Sequence, residues 1–332
     1  MRTFMWKLLL SINKKLFWAV PVTMLLGFLF GQVVNQETVK SLKALIVPFT
    51  FLMVYPMMVT LNIKSLKDGI KNVKLQVLTQ VINFGVVPFL AYGLGIYFFP
   101  ENHYMALGLL LAFLLPTSGM TISWTGFAKG NMGAAINMTV IGLTLGSLAT
   151  PFYVKMLMGA KVDMDMIMVI RQIGYIVFTP MLLGYITRSF FLKKYGQQEF
   201  KKTWAPRFPS LSTIGVLGVV FVAIALKAEQ LSQDPAVLWQ IVKPLLILYA
   251  ANFVIGTLVG RLFFSQGDAI ALVYGTVMRN LSIALALSIN AFGVQGADAA
   301  LVIAVSYIIQ VQAAAWYVKF TDFFFGPAPA EK

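Results

Sequence analysis

Arg279 stands in Met278-Arg279-Asn280-Leu281-Ser282, a polar interruption near the middle of an otherwise apolar run from Ala269 to Phe292. A guanidinium is never deprotonated in practice, and by insertion scales it costs several kcal/mol at the centre of a bilayer. It must therefore face a wet cavity or an anionic partner, and it marks a solute path. A second run, Tyr104 to Phe127, is interrupted by Leu115-Pro116-Thr117-Ser118-Gly119. Pro116 removes a helix N–H and clashes with the preceding turn, which frees backbone groups at membrane depth. Such groups are tolerated only where protein or water satisfies them. Taken alone, Pro116 reads as a simple kink, since Pro21, Pro48, Pro56, Pro88, Pro151, Pro180 and Pro244 also sit in or beside apolar runs. Two breaks at corresponding places point instead to a crossing of broken helices around a binding site. The expected site uses Arg279 as charge anchor, with Asn280, Thr117, Ser118 and Ser282 as hydrogen-bonding groups and half-helix N-termini as partial positive charge. Asn83, Asn137, Asn252 and Gln310 fall at similar depth, where each can line a cavity, take part in ion coupling, or join helices by hydrogen bonds.

Equally informative is the placement of the acids. All 12 Asp and Glu residues fall in loops or at the ends of apolar runs. Proton relays and tight Na+ sites usually employ a buried carboxylate, so coupling to Na+ or H+ would rest on neutral oxygens, on Asp268 near one end of its run, or on the charge of the solute. No cysteine occurs, and the one histidine, His103, reads as a solvated residue in a short outer loop. No metal site, cofactor, thiol nucleophile or Ser/His/Asp set is expected, which argues against an enzyme. A phosphate-cradling Gly-Lys-Ser/Thr loop is also missing, which argues against ATP-driven pumping.

The elements that position these residues are apolar spans. Of 332 residues, 59% are hydrophobic and 11% charged, a balance that a water-soluble globule of this size cannot hide. Runs long enough to cross a bilayer recur as Leu16 to Val34, Leu42 to Leu61, Leu75 to Phe99, Tyr104 to Phe127, Gly133 to Met158, Met166 to Phe191, Leu211 to Leu226, Val237 to Phe264, Ala269 to Phe292 and Ala297 to Phe323. Ten membrane helices follow. The first fifteen residues hold no small-residue cleavage site, so the first run is expected to be retained as a helix.

The net charge of +14 suggests nucleic acid until its placement is considered. With the N-terminus in the cytoplasm, 18 Lys and Arg fall inside and 5 outside, the inner set including Arg2, Lys7, Lys14, Lys15, Lys64, Lys67, Lys71, Lys74 and the six cations from Arg188 to Arg207. That asymmetry sets orientation, with both termini cytoplasmic in a multi-pass cell-membrane protein, and gives no nucleic-acid footprint.

Met24-Leu25-Leu26-Gly27-Phe28 in the first span returns as Met181-Leu182-Leu183-Gly184-Tyr185 in the sixth. The two spans open two five-helix halves, residues 1–158 and 159–326, and an odd number of helices per half inserts the second copy upside down. The fold class is thus an all-α polytopic membrane protein, with ten helices in two inverted repeats and broken, crossing fourth and ninth helices.

Three stretches carry a resemblance: Phe51-Leu52-Met53-Val54-Tyr55-Pro56-Met57-Met58 with Asn62 to Leu66, the run Leu115 to Asn131, and Arg279-Asn280-Leu281-Ser282-Ile283-Ala284. With them the chain resembles the bile acid/sodium symporter superfamily over nearly its whole length, and within it the arsenite permease branch. The resemblance implies a secondary transporter. It also exposes departures. Thr117 stands where the arsenite permeases carry a cysteine, and Ser282 near their ninth-helix glutamate. Gly275 and Arg279 occupy the places of the Glu and Gln that bile-acid members use for sodium, and Asn131 replaces an aspartate.

The reading is secondary transport of a small, anionic solute within the lipid bilayer. Arsenite or antimonite efflux is the second reading within transport, and a non-transporting sensor or scaffold is the alternative of another class. Oligomeric state, coupling ion and direction stay open.

Overall fold

The computed structural model describes residues 16–60, 72–162 and 165–326. Arg2, Lys7, Lys14, Lys15, Lys64, Lys67, Lys71 and Lys332, the Asn62 to Leu66 stretch, and Asp68, Asp163 and Glu331 lie outside the described residues. Among the described residues the chain is helical, and the one departure toward sheet is an isolated antiparallel bridge between Pro116 and Arg279.

Twelve helices matter for the site: α1 Leu16–Val33, α2 Ile46–Thr60, α3 Val73–Phe98, α4 His103–Leu114, α5 Gly119–Phe127, α6 Met132–Met158, α7 Ile167–Trp204, α8 Arg207–Gln233, α9 Ala236–Phe263, α10 Gln266–Val277, α11 Leu281–Phe292 and α12 Gly296–Val318. Six of them, α3, α6, α7, α8, α9 and α12, are long and apolar enough to cross a membrane. The protein is a multi-pass membrane protein. Helices α4 and α11 are apolar but have 12 residues each, about 18 Å of rise against a hydrocarbon core of about 30 Å. They are short because the runs they belong to are cut at the two interruptions.

The helices gather into two compact units, each drawing on both halves of the chain. The first comprises residues 1–61, 164–239 and 282–304, the second residues 62–163, 240–281 and 305–332.

In the first unit α8 packs against α1 and α2 through glycines. A Cβ on Gly27 would come within 2.7 Å of the Phe221 carbonyl, and one on Gly215 within 2.3 Å of the Met53 amide. Gly184 of α7 meets the Met58 backbone of α2 in the same way, at 2.7 Å. Apolar lipid gives helices no hydrophobic reason to associate, so close backbone approach at small residues supplies the dispersion contact. Polar links supplement it. Ser212 donates to the Met53 carbonyl, and Tyr55 shares a 2.7 Å hydrogen bond with Thr187.

In the second unit one carboxylate joins three helix starts. Asp268, in the first turn of α10, accepts from Asn72 Nδ2 and from Asn131 Nδ2, each at 2.7 Å. Both asparagines are N-caps: Asn72 Oδ1 accepts from Leu75 N of α3, and Asn131 Oδ1 from Ala134 N of α6. Each amide thus caps its own helix with the oxygen and reaches Asp268 with the nitrogen. Asp268 therefore has a structural partner set at the place where the sequence allowed ion coupling. His103, expected in a loop, is the first residue of α4, with Asn102 as its N-cap.

Candidate functional site

Leu115 precedes a proline and is pushed out of the helical region, to φ −98 and ψ 88. Thr117 then takes φ +64, and Ser118 is extended before α5 begins at Gly119. On the other chain segment α10 ends at Val277, and Met278 is extended at φ −73 and ψ 118. The two irregular stretches satisfy each other. Thr117 N donates to Met278 O and Asn280 N donates to Leu115 O, both at 2.8 Å. These bonds answer the accounting demanded of backbone groups at membrane depth.

Arg279 is held at this crossing from both its main chain and its side chain. Gln310 of α12 accepts from Arg279 N at 2.8 Å and donates through Nε2 to Arg279 O at 3.3 Å. Tyr249 of α9 donates to the same Gln310 oxygen at 3.2 Å and shares a 2.8 Å hydrogen bond with Ser306. The Arg279 side chain is completely buried. Its Nη1 donates to the Phe113 carbonyl at 3.1 Å, and its guanidinium carbon lies 5.6 Å from the centre of the Phe113 ring. Phe113 is in the last turn of α4, so the cation sits at the partially negative end of a half-helix and caps one of its orphan carbonyls.

The other two guanidinium nitrogens, Nε and Nη2, have no hydrogen-bond partner among the described residues. These two N–H groups run parallel along one edge of the guanidinium and form the fork that matches two oxygens of a carboxylate or oxyanion. No carboxylate is among the buried described residues, so the protein does not itself supply that partner.

The remaining expected residues divide by what their polar atoms do. Thr117 is fully buried, and its hydroxyl is directed at backbone: Pro116 O at 2.7 Å, Thr139 O at 3.2 Å and Met138 O at 3.3 Å. Ser118 N-caps α5, accepting from Met120 N at 3.2 Å, while Thr121 accepts from Ser118 N at 3.1 Å. Asn280 contributes its main chain to the bridge and is buried. Asn83 and Asn252 donate to successive carbonyls at the end of α10, Gly275 O at 3.0 Å and Thr276 O at 2.8 Å. Their Oδ1 atoms, and both side-chain heteroatoms of buried Asn137, have no partner among the described residues. Ser282 is half-buried in the first turn of α11 and belongs to the other compact unit.

Sequence reasoning did not single out Phe113, Ser306 or Thr276 for this region. The contributions of Phe113 and Thr276 are main-chain carbonyls, which any residue type supplies. Ser306 had a readable signal, since it lies four residues before Gln310 and so on the same helical face.

Three relatives set the chain in context. It is 23% identical over 274 residues to an uncharacterized protein, YbaS, of Bacillus subtilis, covering 82% of this chain and 86% of the relative. It is 24% identical over 303 residues to an uncharacterized transporter, slr0944, of a Synechocystis species, covering 85% and 79%. The arsenical-resistance protein Acr3 of Corynebacterium glutamicum is 22% identical over 304 residues, covering 88% and 80%. Residues 47–234, more than half of the chain, match the family model described as the sodium bile acid symporter family. A helical membrane chain with broken segments bridged at Pro116 and Arg279, and with these relatives over most of its length, belongs to the sodium bile acid symporter family and is a transporter of it.

Proposed function

We propose that the chain is a secondary active transporter that carries a small anion by alternating access, with Arg279 as its charge anchor. The observation that carries this reading is the divided guanidinium. One nitrogen is committed to the Phe113 carbonyl, while the parallel Nε and Nη2 edge is buried without an acceptor among the described residues. Leaving two donors of a charged group buried and unpaired is costly, and a two-oxygen anion removes that cost through charge-assisted bonds. A fixed cation at the crossing also disfavours a second cation beside it. Coupling to Na+ or H+ would accordingly run through neutral oxygens such as those of Asn83, Asn137 and Asn252.

The proposed architecture is ten crossings in two inverted five-helix halves. Its support is a pair of equivalent packings. Gly27 of the repeated pentapeptide lies on Phe221 of the seventh span, and Gly184 of its second copy lies on Met58 of the second span. If the first span corresponds to the sixth and the second to the seventh, these are one contact seen twice.

The test is a thermal-shift screen of the purified chain against small monocarboxylates, inorganic oxyanions and arsenite, with and without Na+, followed by two variants. Arg279→Lys keeps the charge and loses the fork, so the stabilising anion should bind at least about tenfold more weakly. Arg279→Gln should abolish anion binding and transport. Normal transport by Arg279→Gln, or failure of both variants to fold, makes Arg279 a clamp on α4 and ends the anchor reading.

A further inference from the structure

The stretch from Arg188 to Phe208 has no role in the crossing and has a composition of its own: six Lys and Arg, one carboxylate, Glu199, and six aromatic residues. Helix α7, which contains most of it, has 38 residues. At 1.5 Å per residue a straight helix of that length would measure about 57 Å, nearly twice a hydrocarbon core of about 30 Å, so its C-terminal part lies beyond the core. The helix is not straight. At Gly196 the backbone takes φ 79 and ψ 166, and the chain folds back so that the Trp204 ring comes within 4.9 Å of Phe191 and 5.3 Å of Tyr195.

The fold-back makes an aromatic shelf carrying cations. Lys194 Nζ is 5.3 Å from the Tyr195 ring centre, and the Arg207 guanidinium is 4.9 Å from that of Trp204. Lys194, Lys201 and Lys202 are exposed, and no ion pair involves them among the described residues. Trp and Tyr settle at the headgroup level of a bilayer, with the ring against apolar glycerol and acyl groups and the polar edge in water. Lysines at the same level meet lipid phosphates. A dissolved anion would satisfy the lysines but would give the shelf nothing to rest on.

We propose that the folded-back segment Arg188 to Phe208 is a binding site for anionic phospholipid headgroups, its lysines and Arg207 taking the phosphate and its Trp204–Tyr195–Phe191 shelf seating the glycerol backbone.

The experiment uses the full chain in an uncharged detergent, titrated with dioctanoyl phosphatidylglycerol and followed by thermal unfolding and by lipid adducts in native mass spectrometry. Dioctanoyl phosphatidylcholine, free glycerol phosphate and heparin serve as the other arms. Phosphatidylglycerol should raise the melting temperature and be retained, and the other three should not. The variant Lys194→Gln/Lys201→Gln/Lys202→Gln should bind phosphatidylglycerol more weakly by about fivefold for each lysine removed, whereas Lys319→Gln should match the parent. Equal response to phosphatidylcholine removes the charge argument, and equal response to glycerol phosphate makes this a soluble-anion site. Equal response to heparin makes it a general polyanion surface, and full affinity in the triple variant moves the lipid elsewhere. Any of these overturns the proposal, and the three comparisons on the parent protein decide it whether or not the variant folds.

Discussion

Thr117 is the residue on which the substrate question turns. Its φ of +64 is one that a β-branched side chain rarely adopts, at a cost of about 1–3 kcal/mol. The strain is held by the antiparallel bridge and by a hydroxyl bonded to the carbonyls of Pro116, Met138 and Thr139. That hydroxyl has one proton, and backbone acceptors surround it. Arsenic(III) prefers soft sulfur ligands, and a hard hydroxyl already engaged with backbone is a poor substitute. The chain should therefore confer little arsenite resistance on a sensitive host, measured as growth against arsenite concentration. Robust resistance that is lost in Thr117→Ala would show that likeness to the arsenical-resistance proteins outweighs the missing thiol. A neighbouring departure from the family pattern has a physical account. Asn131 donates its amide to Asp268, and an aspartate there would face that carboxylate with like charge.

At the scale of elements, the two interruptions were legible because proline and arginine are conspicuous in apolar runs. What they do to each other was not. The bridge between Pro116 and Arg279 is made of main-chain atoms, and the Nη1 partner is the carbonyl of Phe113, so no residue type announced either. Helix ends were readable to within a few residues where polarity changes abruptly, as at Met158. The end of the sixth span was not. Apolar character stops at Phe191, whereas the helix continues past Glu199 because its basic, aromatic tail packs on itself. Small residues in α6 explain how the irregular stretch is seated. A Cβ on Gly142 would lie 2.7 Å from Thr117 Oγ1, and one on Gly146 would lie 2.8 Å from Pro116 Cδ. Gly142→Ala should accordingly destabilise the protein by about 1–3 kcal/mol, seen as a lower melting temperature in detergent. Gly93→Ala is the matched control, since nothing lies within 4 Å of its Cβ position. There the helix should gain stability or be unchanged. An equal loss in both variants would mean that Gly142 has no special relation to the break.

For the whole molecule, the decisive question is how many times the chain crosses the bilayer between two marked points. Glu101 lies just before α4, and Gln198 lies in the basic segment near the end of α7; both are exposed. If α4 and α5 together make one crossing, α6 a second and α7 a third, the two points are on opposite sides. If the broken pair α4 and α5 instead enters and leaves on one side, there are two crossings and the points share a side. Composition alone cannot separate these cases, because a 12-residue apolar helix suits half a crossing and a re-entrant segment equally. The charge distribution can, since 18 Lys and Arg fall on one side and 5 on the other only under the three-crossing count. The chain has no cysteine, so single cysteines at Glu101 and Gln198 report without background. In intact cells a membrane-impermeant maleimide should label the Glu101→Cys protein and leave Gln198→Cys untouched until the membrane is opened. Labelling of both from outside, or of neither, would place the two positions on one side, and with that the odd crossing number per half and the inverted repeat would both fall.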